Sequence, residues 1–563
     1  MKIRRLFYGL ALASIAFAIS SFGINAVSNS DIISVKTKPE AIQAKFNPIT
    51  DASSYKAYIK SSGDYTELDS ELIFVKNDYV EVNAVGLTNG TYSLKLVPII
   101  NNNEVESSKI ELSNSSVDKD DRSGYAHFNY TDGVGAYNDE GTLKDNAIVV
   151  YVNDSNKNTV EATINGSKKT GLANIIKAAD ENYPLDIRIT DVIKTVQWNK
   201  VTYSSASKTT DLYNEQSTLL GKSGNFEGKV EADDITNNSY SNDLANGITK
   251  LNGLKSYATS SIKDKGKDTQ HYEWDSYWNM LDIEGKKHIT IEGIGDSAGI
   301  FQWGITFKRC NSIEVKNLTF EDYTEDGIGI QGGSNSDMEY SNFWLHNLTF
   351  EQGVNNWDLS YELDKSDGVG STDFKYAHNL TISYTKYNDT HKTSLFGSSN
   401  DALQYNITVH HNYYKACKAR LPLVRQANIH IYNNYFEGTT STGISVRANS
   451  NAFIENNYFD GKNPFMLAYK TSSSVDPIGT TIKAIGNAFS SNVTISAIGK
   501  DTDQGLGLMA NGIYVLTKKD TTDNPYSYNS SVTRTTQSSG SVCTPDGTNS
   551  YVNFDTNSDF FYY

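Results

Sequence analysis

The sequence predicts an all-β protein, a right-handed parallel β-helix preceded by an N-terminal β-sandwich-like accessory module. Between residues 289 and 489 a strand pattern recurs in which apolar residues at x and x+2 are followed by an aromatic at x+7. Between residues 30 and 112, short alternating segments are divided by turn signals at roughly ten-residue spacing. A helical solenoid would need a 3.6-residue period, which the repeat region lacks.

The chain has 563 residues, 38% hydrophobic and 21% charged, which leaves room for more than one domain and excludes disorder. Three cysteines, Cys310, Cys417 and Cys543, allow at most one internal bridge, so disulfides do not build the fold. Lys+Arg number 50 against 66 Asp+Glu, a net charge of −16. That balance argues against binding nucleic acid or an anionic membrane through general basicity, and a polyanionic partner would need a local cationic site.

Residues 1–26 carry Lys2, Arg4 and Arg5, then the apolar run LFYGLALASIAFAISSFGI, and end on Ala26, the layout of a secretory signal peptide. The expectation is a secreted protein with no membrane attachment after signal removal; the alternative is an uncleaved anchor. In 27–112 the segments YKAYIK, LIFVK, YVEVNAV, TYSLKLVPII and SKIEL alternate in strand fashion. By pattern they resemble a fibronectin-III-like β-sandwich, with an irregular β-extension of the main domain as the alternative. A polar linker, 113–124, follows.

The β-helix is expected over 125–499. In GLANIIKAADENYPLDIRI, Leu172, Ile175, Ile176 and Ala179 recur at helical spacing and Leu185, Ile187 and Ile189 at strand spacing, so a short helix feeds a strand. Residues 203–270 show no sustained period and are expected as a surface excursion. Residues 500–563, rich in Ser, Thr, Asn and Tyr, are expected to wrap or cap the helix.

The repeat runs Ile313/Val315/Phe320, Phe343/Leu345/Phe350, Leu380/Ile382/Tyr387, Ile407/Val409/Tyr414, Ile429/Ile431/Phe436, Ala452/Ile454/Phe459 and Ile482/Ala484/Phe489, with Ile289/Ile291 opening it. One such coil cannot bury its own apolar face, so coils must stack into one continuous core. The aromatics, and the Asn-Asn-Tyr-Phe at 433–436 and 456–459, then form internal stacks and polar ladders. Residues at a similar offset in each coil lie above one another: Asp326, Lys392 and Arg420 fall 13, 12 and 13 residues after their coil starts. The longest coil, Phe343 to Leu380, adds an acidic stretch with Asp367 and Asp373. His410, His411 and His430 lie on strands beside aromatics, which favours stacking or hydrogen bonding over catalysis. Cys310 and Cys417 read as buried thiols.

From HKTSLFGSSND through NNYFEGTTSTGISVRANSNAFIENNYF the sequence resembles the polysaccharide lyase family 1 pectate lyases, strongly over about 285–490 and weakly over 120–285. The family's Arg-x-Pro-x-x-Arg motif stands at Arg420–Arg425, with Lys392 before it and Arg447 after it in GISVR. The resemblance implies cleavage of α-1,4-linked polygalacturonate by calcium-assisted β-elimination. In it Arg420 matches the base that removes the C5 proton, Lys392 and Arg425 match residues that grip the uronate carboxylate, and Arg447 matches a further substrate contact.

The implied chemistry is coherent. A proton α to a carboxylate becomes removable only when the growing negative charge is neutralised, which Ca²⁺ with Lys392 and Arg425 supplies. An arginine base needs surrounding positive charge to favour its neutral form, so an alkaline optimum is expected. Calcium takes several oxygen ligands, and Asp326 and Asp373 match family ligands. The family's acid four residues before Asp373 is Val369 here, so Asp367 is assigned in its place. The companion acid two before Asp326 is Thr324, and the family's Trp-x-Asp-His stands as Trp344-Leu345-His346 without the Asp.

Three other readings stay open. A hydrolase would need paired carboxylates; a pectin lyase on methyl-esterified polymer would be expected to lack the calcium aspartates; and a silent β-helix could bind glycan without cleaving it. The cationic set favours elimination, and a monomer is expected.

Overall fold

Strands with an apolar residue at every second position bury one face, so two such sheets must close on each other. At the N-terminus they do. Ile32–Lys38, Ala41–Phe46, Val80–Val85 and Ile73–Val75 form one antiparallel sheet in that order. Thr66–Glu67, Ser54–Lys60 and Gly90–Ile100 form the other, with Ile110–Val117 pairing Gly90–Ile100. Between them Ala44, Phe46, Ala57, Val82, Leu94 and Leu96 are fully buried.

The computed structural model describes residues 30–194 apart from 129, 201–212 apart from 206 and 207, and 280–352 apart from 302, 322, 324, 325 and 334–339. It further describes 370–460 apart from 400, 401, 403, 405, 440–442, 448 and 449, then 481–485, 488–489, 506–509 and 513–516. The leader at 1–26, most of the excursion at 203–270, most of 500–563, Asp367 and Cys543 lie outside the described residues. No helix among the described residues is long and apolar enough to cross a membrane.

From Ile148 onward the repeat winds a parallel β-helix whose described strands form three sheets of twelve, nine and seven. The longest, sheet A, contains each x/x+2 pair: Asn311–Lys316, Ser341–His346, His378–Ser383, Ile407–His410 and Asn428–Tyr432 pair in parallel with the apolar residues in register. Sheet B contains the x+7 aromatics in Thr319–Glu321, Thr349–Glu351, Lys386–Asn388, Tyr413–Lys415, Tyr435–Glu437 and Tyr458–Asp460. Phe320, Phe350, Tyr387, Tyr414, Phe436 and Phe459 stack ring on ring at 4.6 to 5.1 Å. Beside them Asn412, Asn434 and Asn457 form a ladder in which each backbone N–H donates to the Oδ1 of the next, at 2.9 and 3.0 Å. Sheet C runs Met280–Glu284, Gly304–Lys308, Ile328–Gln331, Thr372–Lys375, Ser394–Phe396, Leu423–Val424 and Ser445–Val446.

The expected short helix is Leu172–Ala178; it buries Leu172, Ile175 and Ile176 and leads into Leu185–Ile189. At the other end Ile513–Leu516 pairs antiparallel with Thr481–Ile485 and with Leu506–Met509. Cys310 and Cys417 are free and buried.

Residues 113–124 differ from a solvated linker. Ile110–Val117 continues as a strand past residue 112, and the chain then lies against the outer face of sheet A. The backbone N–H groups of Tyr125, Ala126 and Ala136 donate to the hydroxyls of Thr408, Thr381 and Thr290 at 3.0, 2.9 and 2.8 Å. The approach is so close that a Cβ on Gly124 (φ +105°) would lie 2.6 Å from Thr381 Oγ1. Beneath this strap lies a buried ionic row: Arg188 Nε donates to Asp186 at 2.8 Å and to Glu292 at 3.0 Å, and Lys316 pairs with Glu314.

Candidate active site

Six of the seven residues singled out from the sequence are described, and all six sit on or beside sheet C. Asp326 precedes the strand Ile328–Gln331, Asp373 lies within Thr372–Lys375, and Lys392 precedes Ser394–Phe396. Arg420 precedes Leu423–Val424 and Arg425 follows it, while Arg447 follows Ser445–Val446. Parallel pairing aligns Gly329 with Asp373 and Leu395, and Phe396 with Val424 and Val446. Because neighbouring strands are about 4.8 Å apart, the side chains project from a continuous ladder.

At the acidic end, Asp326 Oδ2 lies 3.4 Å from where a Cβ on Gly329 would sit, and Gly329 is the residue paired with Asp373. The two carboxylates thus belong to adjacent rungs and bracket a glycine. Asp367, the third assigned acid, lies outside the described residues.

At the basic end, Lys392 bridges in parallel to Ala419, immediately before Arg420. Arg420 adopts a left-handed backbone, φ +60°. Its guanidinium reaches back across the intervening coil and donates from Nη1 to Asp373 Oδ2 at 3.2 Å. Arg425 donates from Nη1 to the Gly397 carbonyl at 2.8 Å, and Arg447 from Nε to Ser445 Oγ at 3.0 Å. The Arg447 N–H donates to the Val424 carbonyl at 2.8 Å, which puts Arg447 on the rung beside Arg425.

Three guanidinium groups in so small an area repel one another. Burial first, then the charge of Arg420, holds Arg425 below the usual arginine range. Burial and the charges of Arg425 and Arg420 lower Arg447 to about 10. Chemically, the arrangement offers a concentration of positive charge that an anion would neutralise, with carboxylates at one end. Its oxygen donors are of the hard kind that calcium takes, so the donor chemistry fits that ion.

Sequence reasoning did not find the contact between Arg420 and Asp373, which lie 47 residues apart. It also did not find that Asp121, in the expected linker, reaches His410: Asp121 Oδ2 lies 4.0 Å from His410 Nδ1. His410 stacks on Tyr432 at 4.9 Å and His411 on Tyr384 at 4.8 Å.

A family model described as pectate lyase matches residues 244–547, more than half of the chain. The chain is 34% identical over 183 residues to a pectate lyase of Bacillus subtilis (strain 168), covering 29% of this chain and 43% of that protein. It is 37% identical over 174 residues to pectate lyase B of Dickeya chrysanthemi, covering 30% and 44%. The matched stretch thus spans less than half the length of either relative. Among solved structures, a pectate lyase from Bacillus sp. N165 in complex with trigalacturonate aligns with a TM-score of 0.41 at 19% identity, covering 73% of this chain and 94% of that one. The family model, matching over half of the residues, establishes that this chain belongs to the pectate lyase family.

Proposed function

We propose that the protein is a secreted pectate lyase that cleaves α-1,4-polygalacturonate by β-elimination, releasing 4,5-unsaturated oligogalacturonides. The observation that supports this reading best is the convergence of Lys392, Arg420, Arg425 and Arg447 with Asp326 and Asp373 along one sheet of a family member. The names of the curated relatives, pectate lyases, point the same way.

In this reading Arg420 is the base that accepts the C5 proton. The electron pair left on C5 forms the C4–C5 double bond as the C4–O bond to the next sugar breaks, and the leaving oxygen takes up a proton. Negative charge grows on the uronate carboxylate as the proton leaves, and fixed cations aimed there stabilise that charge more than they stabilise the ground state. Lys392 and Arg425 are assigned to that carboxylate, and Arg447 to a neighbouring uronate. The −16 chain needs this local concentration of cations to hold a polyanion. Asp326 and Asp373, with Asp367, would hold Ca²⁺, which supplies further neutralisation of the substrate carboxylate when bound.

The test is ultraviolet absorbance of polygalacturonate incubated with the purified protein, with calcium and then with excess chelator. A calcium-dependent rise from the unsaturated product is expected. New reducing ends without absorbance would mean hydrolysis; no product from polygalacturonate would mean a pectin lyase if methyl-esterified pectin is cleaved and a binding module if it is not; each of these results overturns the reading.

A further inference from the structure

Away from sheet C, a second cluster of metal-binding side chains lies at the corner where sheet A turns into sheet B. His410 ends the strand Ile407–His410 and faces outward beside Tyr432. Consecutive strand residues normally point to opposite faces, but His411 has φ +55°. That conformation swings its ring to the same side, so the two Nδ1 atoms come within 2.8 Å. The strap supplies the third group: Asp121 brings Oδ2 to 4.0 Å from His410 Nδ1. All three ligand atoms lie within 4.8 Å of one another.

We propose that Asp121, His410 and His411 form a binding site for a divalent transition-metal ion of the zinc class. Two imidazoles and one carboxylate are a donor set used by zinc centres that keep a position open for another ligand. This set differs in kind from the all-oxygen group of Asp326 and Asp373, so the two sites would sort metals by ligand softness. The present Nδ1–Nδ1 separation of 2.8 Å has to open by roughly half an ångström to reach the spacing of two nitrogens on one tetrahedral zinc.

The surroundings suit this role. Ser123 N–H donates to Asp121 Oδ1 at 3.1 Å and Tyr384 OH donates to Oδ2 at 2.8 Å, which orients the carboxylate as outer-sphere groups do in metal centres. Tyr384 also stacks on the His411 ring, and Asn433 Nδ2 lies 3.3 Å from His411 Nε2, so that ring is held on its face and its far edge. His410 is fully buried, whereas the Asp121 side chain keeps 23% exposure, which leaves an entry path on its side.

The variant that tests the proposal without disturbing the fold is His411→Asn. The same corner is occupied by Asn in other coils, at Asn347, Asn433 and Asn456, with φ of +53° to +54°. Full-length wild-type protein, His411→Asn and Asp121→Asn are stripped with chelator and titrated with Zn²⁺, and separately with Co²⁺, in excess calcium. Bound metal is measured after gel filtration, and Co²⁺ is read by its visible absorption. Wild type is expected to retain one equivalent, with a Co²⁺ spectrum showing nitrogen ligation, and each variant to bind at least about 100-fold more weakly. Circular dichroism and calcium binding equal to wild type would show the variants folded. Absence of a stoichiometric Zn²⁺ in wild type, or equal binding by His411→Asn, would overturn the proposal and leave a hydrogen-bonded histidine pair.

Discussion

Arg420 Nη1 and Asp373 Oδ2 are 3.2 Å apart, so the residue assigned as base and a carboxylate assigned to calcium share a hydrogen bond. Replacing Asp373 by Asn should therefore act twice. The calcium needed for half-maximal rate should rise at least about tenfold, and kcat should stay low at saturating calcium because Arg420 loses the group that holds it. Initial rates across a calcium series separate the two effects. Full recovery of kcat at high calcium would confine Asp373 to the metal.

Arg420→Lys keeps a cation but changes its reach and geometry. Turnover should fall by at least about 100-fold, while oligogalacturonate binding measured by calorimetry should change by only a few-fold. Unchanged turnover would remove Arg420 from the proton transfer.

Arg447 carries a cation at a cost. Its folded-state pKa, lowered to about 10, lies below that of an unfolded chain. Between those values the unfolded state binds more protons, so this group makes stability rise with pH from about 10 upward. Arg447→Gln should accordingly raise stability at neutral pH, by up to about 1 kcal/mol after screening at this half-exposed site, and weaken pectate binding. Denaturant melts paired with binding isotherms test both halves.

Asp186 has the opposite sense for a carboxyl. Burial, then the charge of Glu292, pushes it up to about 7 although Arg188 opposes them. The folded state binds more protons than the unfolded one between the ordinary Asp value and about 7, so stability should fall as pH rises through that window. The slope approaches about 1.4 kcal/mol per pH unit at its steepest. Asp186→Asn should flatten it, as read by urea unfolding from pH 4 to 8.

In the aromatic column, Phe350 is stacked on both sides, by Phe320 and Tyr387, and is fully buried. Phe350→Ala should cost about 3–5 kcal/mol. A thermal melt within about 1 °C of wild type would mean that the coils close over the gap.

The β-helix was legible because its repeat is local. Ile313, Val315 and Phe320 each announce a position in a coil, and pairing in parallel needs no further information. The cations of the site were legible for the same reason: Lys392 and Arg420 keep similar offsets in adjacent coils. The outer face of sheet A was not. Alternation shows that Glu292, Glu314 and Lys316 point away from the core, and an outward charged residue ordinarily meets water; nothing local reveals that a segment more than 150 residues earlier covers them. The Asp121 contact escaped for that reason too. The third acid of the candidate calcium group, Asp367, was assigned by displacement from the family position and lies outside the described residues.

The strap's hydroxyl contacts set a timetable for assembly. Stacked coils ordinarily depend only on their nearest neighbours, so they can form and fray one at a time. Here the backbone around residues 125–136 is fastened to Thr290, Thr381 and Thr408, on coils made much later in synthesis. A chain emerging from the ribosome can complete its N-terminal sandwich early, but that fastening must wait until residue 408 has appeared. Once it closes, the coils between Thr290 and Thr408 are bound to a common thread and lose the freedom to open singly.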